Sequence, residues 1–169
     1  MARIVLCQGD ITQQEVEAVV NAANTALRPG GGVDEAITRA AGSLALADRE
    51  RVIAERGSPA LPTGQAVATI GGALLARWII HTAGPIYSGS PEDARLLTSC
   101  HVECLRVADE LGARAIAFPA ISTGIYGYPL DEAASVAIGA VGSATTAVEE
   151  VRFVLFDERA LAAFRAALP

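Results

Sequence analysis

Apolar residues along the chain keep two rhythms. Short, mainly apolar runs predict buried strands at Arg3 to Cys7 (RIVLC), Val16 to Ala22, Gln65 to Ile70, Trp78 to Thr82, Ala115 to Pro119 and Val151 to Phe156. Between them the spacing becomes helical. Val33, Ile37 and Ala41 share one helix face, with Gly42 as a stop, and a second helix covers Ser43 to Arg56. Ser90-Pro91-Glu92-Asp93 has a Ser cap, Pro at the first position and acids in the first turn. That helix is predicted to run to Leu111, with Gly112 ending it. Pro129-Leu130-Asp131-Glu132 opens a helix ending near Ala147, and Asp157 caps a last one reaching Leu168. Thr12-Gln13-Gln14-Glu15 fits a capping box over one short turn, with Thr12 as the cap.

The second half alternates strand and helix, which calls for parallel strands joined by crossover helices. The first half places some strands too close together for that. The expected architecture is α/β: a three-layer α/β/α sandwich around a mixed, mostly parallel sheet of about six strands. No linker, repeat or low-complexity block divides the chain, so residues 1–169 read as one domain.

Composition narrows the chemistry. All 13 basic residues are Arg. Without Lys there is no Schiff base, no lysine general base and no Walker-type phosphate loop. The net charge is −6 and no basic stripe appears, so counterion-release binding to nucleic acid is not expected. A small anion remains compatible, because backbone amides hold phosphate without side-chain charge. Three cysteines make no disulfide framework. The first strand starts just after Met1 and no apolar stretch is long enough for a span, so a cytoplasmic monomer away from membranes is expected.

Ligands of open α/β sheets sit beyond the carboxyl ends of strands. Three segments at such positions hold the unusual residues. Gln8-Gly9-Asp10-Ile11-Thr12 follows the first strand; Asp10 suits either a ligand donor or the backbone of its own turn, and the turn is the simpler reading. Asn21-Ala22-Ala23-Asn24 through Gly30-Gly31-Gly32-Val33-Asp34 contains the only two asparagines of the chain and leads three glycines into a helix. Glycines admit close backbone approach, and a helix N-terminus favours an anion. Pro119 to Pro129, with Ser122-Thr123-Gly124-Ile125-Tyr126, follows a strand and precedes a helix. Two such loops facing one crevice suit a diphosphate, one on each side.

Gly9-Asp10-Ile11-Thr12, Val20 to Asn24 (VNAAN), Gly30 to Asp34 (GGGVD), His81 to Pro85 (HTAGP), Phe118 to Tyr128 (FPAISTGIYGY) and Leu155-Phe156-Asp157 together resemble the macro domain family, in order and over essentially the whole chain. The resemblance implies ADP-ribose binding. Asp10 would bond the adenine amino group beside the Ile11 amide, and Phe156 would pack on the ring. Gly31, Gly32 and Val33 would wrap the diphosphate and distal ribose together with Ser122, Thr123, Gly124, Ile125 and Tyr126. The Asn24 to Asp34 spacing is similar to that of the MacroD-type branch, which hydrolyses ADP-ribose esters. Asn24 would fix the distal ribose and Asp34 would assist the water, a role the substrate's phosphate shares. That branch usually has Gly where this chain has Glu35, and often His where it has Thr38. Glu35 then adds an acid near the ligand, and Thr38 removes a partner of Asp34. The lysine mechanism of another branch is excluded.

The resemblance implies removal of mono-ADP-ribose from acidic side chains, or deacetylation of O-acetyl-ADP-ribose, with no metal or cofactor. ADP-ribose, ADP-ribosylated proteins and O-acetyl-ADP-ribose are the implied partners. A reader module that binds without cleaving, and a phosphatase acting on ADP-ribose 1″-phosphate, are the alternatives. Cys100 and Cys104 sit at helical spacing and read as small core residues rather than zinc ligands. His81 reads as a hydrogen-bonded structural residue, and Ser122 lacks the partners of a nucleophile.

Overall fold

The computed structural model describes residues 1–169. Its strands are β1 (Arg3–Gln8), β2 (Ala18–Ala23), β3 (Ala66–Ile70), β4 (Trp78–Ala83), β5 (Ala115–Phe118) and β6 (Glu150–Leu155). Its helices are α1 (Val33–Ala41), α2 (Ser43–Arg56), α3 (Pro91–Leu111), α4 (Leu130–Ser143) and α5 (Glu158–Ala167). The strands form one sheet in the order β1-β6-β5-β2-β4-β3, parallel except where the short β3–β4 connection makes that edge pair antiparallel.

Both faces of the sheet are covered, and the strand alternation shows how. Ala18 and Val20 of β2, Ile116 and Phe118 of β5, and Val151, Phe153 and Leu155 of β6 face one cluster, shared with α3, α4 and α5. Val19, Ala117 and Val154, the residues between, face a second cluster with Ile37, Ala41 and Ala45 of α1 and α2. Phe118 stacks on Phe153 at 5.6 Å between ring centroids, and Phe153 meets Phe164 of α5 at 5.1 Å. Cys100 and Cys104 are fully buried in the first cluster, as small core residues. Burial pushes the Cys100 thiol up to about 11, which makes it a poor ligand or nucleophile. No helix is long and apolar enough to cross a membrane.

Two expected boundaries change. Thr12 is not a cap: Asp10 Oδ1 accepts from Thr12 N at 2.9 Å and from Thr12 Oγ1 at 2.7 Å, so Asp10 caps a single 3-10 turn at Ile11–Gln13. Helix α4 stops at Ser143 rather than near Ala147, because Asp109 of α3 takes Thr146 Oγ1 at 2.7 Å and Ala147 N at 3.0 Å.

The topology places the site. From β2 the chain passes over one face through α1 and α2 towards β3 and β4; from β5 it passes over the other through α4 to β6. Neighbouring β2 and β5 thus send their following segments to opposite faces, which opens a crevice at their carboxyl ends.

Candidate functional site

That crevice is an open cleft of about 1190 Å³. Every residue the sequence nominated lines it: Asp10, Ile11, Asn24, Gly31, Gly32, Val33, Asp34, Ser122, Thr123, Gly124, Ile125, Tyr126 and Phe156. Their roles in the cleft differ more than their shared position suggests.

The middle of the cleft is made of backbone. The amides of Gly31, Gly32 and Val33 have no protein acceptor, and neither do those of Ser122, Gly124, Ile125 and Tyr126. Gly32 sits at φ +65° as it enters α1, a conformation that glycine adopts without strain, and leaves the N-terminal amides open. Across the cleft Ser122 adopts φ +67° with its buried Oγ unpartnered, close against Gly84. A side chain at position 84 would meet that Oγ at 2.3 Å. Two sets of unengaged amides with a helix N-terminus behind one of them form a cradle suited to an anion. Thr123 contributes less than expected: its hydroxyl and amide both turn to Ala120 O, at 2.8 and 3.4 Å.

One end is exposed. Phe156 is 92% accessible, and Asp10 presents its second carboxylate oxygen beside the Ile11 amide, which also lacks a protein acceptor. Arg159, at the start of α5, is the only cationic side chain lining the cleft and has no ion-pair partner.

The other end is internally bonded around a buried carboxylate. Asn24 donates from Nδ2 to Arg28 O at 2.8 Å and accepts from Arg28 N at 3.1 Å, closing its own turn. Asp34 forms a fork with Arg49 of α2, Oδ1 to Nη1 at 2.7 Å and Oδ2 to Nη2 at 2.8 Å. Oδ1 also takes the Thr38 hydroxyl at 3.0 Å, and Oδ2 takes Gly30 N at 3.3 Å. Burial alone would raise the Asp34 carboxyl; the Arg49 bonds and charge, with Thr38 and Asn21, outweigh it and hold it below the ordinary value. A carboxylate so occupied is a weak proton acceptor, so of the two ways Asp34 could assist a water, this geometry suits orienting it better than taking its proton.

Two expectations are corrected. Thr38 is a partner of Asp34, not a missing one. Glu35 turns away from the cleft to pair with Arg39 Nη2 at 2.9 Å. Asn21 lies inside β2, fully buried, with Nδ2 3.0 Å from His81 Nδ1, so only one of the two asparagines reaches the cleft. His81 is the structural residue it was read to be: its Nε2 lies 2.8 Å from Thr69 Oγ1. Burial first, and the Arg49 charge second, push its pKa down to about 3, so the ring is neutral. Arg49 was missed altogether. Its signal was there: it falls on the stripe Ala45, Arg49, Val52, the buried face of α2.

Comparison with known proteins agrees with this geometry. A family model described as Macro domain matches residues 20–137. A macro domain-containing protein of Streptomyces coelicolor is 55% identical over 99% of both chains. A protein of Klebsiella pneumoniae named O-acetyl-ADP-ribose deacetylase is 47% identical over 93% of this chain and 91% of its own. Among solved structures, an Oceanobacillus iheyensis macrodomain with ADP superposes with a TM-score of 0.88 at 38% identity, covering 96% of this chain and 87% of that one. A Trypanosoma brucei macrodomain in complex with ADP-ribose gives 0.84 at 34%, covering 98% of this chain and 69% of that one. With the three-layer architecture, the mixed sheet and the paired loops already described, these matches place the chain in the macro domain family.

Proposed function

We propose that the cleft binds ADP-ribose and that the protein hydrolyses esters of its distal ribose, as in O-acetyl-ADP-ribose or ADP-ribose carried on an acidic side chain. The observation that carries this reading is the pair of backbone cradles, at Gly31–Val33 and Ser122–Tyr126, with an exposed aromatic at one end and the Asn24 turn at the other. Adenine packs on Phe156 and is bonded by Asp10 and the Ile11 amide. The diphosphate takes the loop amides, and the distal ribose reaches Asn24.

Hydrolysis then needs a water and a place for its proton. Water oxygen attacks the acyl carbon and passes its proton to a diphosphate oxygen held by the loops. The tetrahedral adduct collapses, the acyl carbon–ribose oxygen bond breaks, and the ribose oxygen leaves with that proton. The products are a carboxylic acid and ADP-ribose. Asp34 serves by holding Gly30 and the start of α1, leaving the proton to the ligand. The relatives named O-acetyl-ADP-ribose deacetylase support this class of substrate.

The saturated state of Asp34 also favours a second reading, a module that binds ADP-ribose without cleaving it. Two measurements separate them. Calorimetry with ADP-ribose is expected to show one site per chain. Incubation with O-acetyl-ADP-ribose and with a Glu-linked mono-ADP-ribosylated protein is expected to release acetate or ADP-ribose, with Asn24→Ala much slower. Binding without release selects the reader, release of phosphate from ADP-ribose 1″-phosphate alone selects the phosphatase, and no binding ends the proposal.

A further inference from the structure

The two segments proposed to face the distal ribose are the two ends of the connection between β2 and α1. The turn after β2 carries Asn24, and the entry into α1, Gly30 to Asp34, carries the carboxylate in the helix's first turn. They meet at Gly30, where an added side-chain carbon would lie 3.5 Å from Asn24 Nδ2 and 4.0 Å from Asp34 Oδ2. One buried guanidinium touches both segments. Arg49 donates from Nε to Leu27 O at 2.6 Å, and from Nη1 and Nη2 to the two oxygens of Asp34 at 2.7 and 2.8 Å. The side chains of Arg49 and Asp34 are 4% and 3% exposed.

We infer that Arg49 is a positioning residue for the ester hydrolysis: its guanidinium locks the Asn24 turn and the Gly30–Asp34 loop into one frame, with Asp34 as the anchor of that frame. The inference rests on the proposed reading of the cleft.

Geometry supports it first. A planar fork matches a carboxylate through two nitrogens and leaves the third for a carbonyl, a division that a lysine cannot make. Leu27 sits at φ +59°, a strained conformation for that residue, and its turn is closed from within by Asn24 and from outside by Arg49. Energetics support it second. Burying an ion pair costs so much desolvation that packed apolar side chains of the same volume often stabilise as well or better. The pair is therefore poorly explained as a source of stability, and well explained by the two segments it holds together.

The pair also makes a distinctive signature. The groups facing Asp34 are Arg49 from α2, Thr38 from α1, Asn21 from β2, His81 from β4 and the Gly30 N–H. His81 is neutral, so Arg49 is the only cation among them. Removing it leaves a buried carboxylate without compensation, whose pKa rises. The frame then loosens as pH falls, because a protonated Asp34 oxygen no longer accepts from Gly30.

The test uses Arg49→Met, Arg49→Lys and Thr38→Val. Readouts are kcat and KM for O-acetyl-ADP-ribose from about pH 5 to 8, ADP-ribose affinity by calorimetry, circular dichroism for folding, and amide exchange at Leu27 and Gly30. Arg49→Met is expected to lower kcat by about tenfold to a hundredfold, as misplacement of reacting groups does, with a smaller change in KM. Its loss relative to wild type should deepen at low pH. Arg49→Lys should restore the pH profile by keeping the charge, but not the full kcat. Exchange at Gly30 should speed up in every variant. If Arg49→Met does not fold, Arg49→Lys and Thr38→Val carry the kcat and Gly30-exchange predictions with smaller effects. A folded Arg49 variant with wild-type kcat, wild-type pH profile and unchanged Gly30 exchange overturns the inference. Wild type that binds ADP-ribose without turnover overturns only the hydrolase reading; amide exchange and affinity then decide the role of Arg49, and unchanged values in Arg49→Met overturn it.

Discussion

The two ends of the cleft are built on opposite plans. At one end Phe156 stands almost fully in solvent and Asp10 keeps an oxygen free. At the other, Asp34 is buried and all of its acceptor capacity is taken by Arg49, Thr38 and Gly30. Groups at the first end keep unspent interactions: Phe156 packs on little, and Asp10 caps its turn with one oxygen and leaves the other free. Asp34 at the second end has spent its acceptors on the fold, so in the proposed reading it acts on a ligand only through the backbone it holds. A polar side chain lining a cleft can thus be either a contact or a buttress, and its hydrogen-bond partners decide which.

That contrast predicts how variants divide. The largest effect should come from the buried end: Arg49→Met removes one partner of a buried pair and should cost about 3–5 kcal/mol in urea unfolding. Asp34→Asn/Arg49→Met should recover part of that loss, since the uncompensated charge goes with it. The exposed end should behave in reverse. Phe156→Ala should leave unfolding within about 0.5 kcal/mol of wild type, yet weaken ADP-ribose by about 1–3 kcal/mol, the worth of a base stacked on an aromatic. A large stability loss there would erase the distinction.

Acid should sharpen it next. His81 and His101 are buried and neutral, with pKa values pushed by burial to about 3 and about 4. Their folded values lie below the unfolded one, so the unfolded chain takes up protons first as pH falls. Their contribution is complete above the unfolded value and is lost on acidification, at about 1.4 kcal/mol per pH unit per histidine. His101→Leu removes a ring whose Nε2 has no partner, and should reduce the slope of stability between about pH 6 and 4.5 by up to about 1.4 kcal/mol per pH unit. The smallest effect concerns Arg159. Arg159→Ala should weaken ADP-ribose by less than about 1 kcal/mol, and the difference should fade in salt, as for any exposed charge.

Much of this molecule could be read from its residues, and the gaps have physical causes. The bounds of α1, α2 and α3 follow from local features, namely Gly32, Gly42, Gly57 and Gly112 at their ends and Ser90 at the start of α3. The end of α4 does not, because it depends on Asp109, which lies 37 residues from Thr146. The capping-box pattern at Thr12 lost to an equally local competitor, the Asp10 carboxylate. In the cleft, glycine-rich loops announced themselves by composition, so the backbone cradles were legible. The state of Asp34 was not: its main partner stands 15 residues away on another helix, and only the packing of α2 brings that arginine to it. Glu35 and Thr38 were misjudged for a different reason: their partners, Arg39 and Asp34, stand only four residues away on α1, but which face each side chain turns to is set by the packing of that helix.

The most direct test of the account is acetate release from O-acetyl-ADP-ribose by the purified wild-type protein, measured with and without excess ADP-ribose. The account predicts many turnovers per chain and full suppression by ADP-ribose, because product and substrate share the loop amides of one cleft. No release, or release that ADP-ribose does not inhibit, would contradict it.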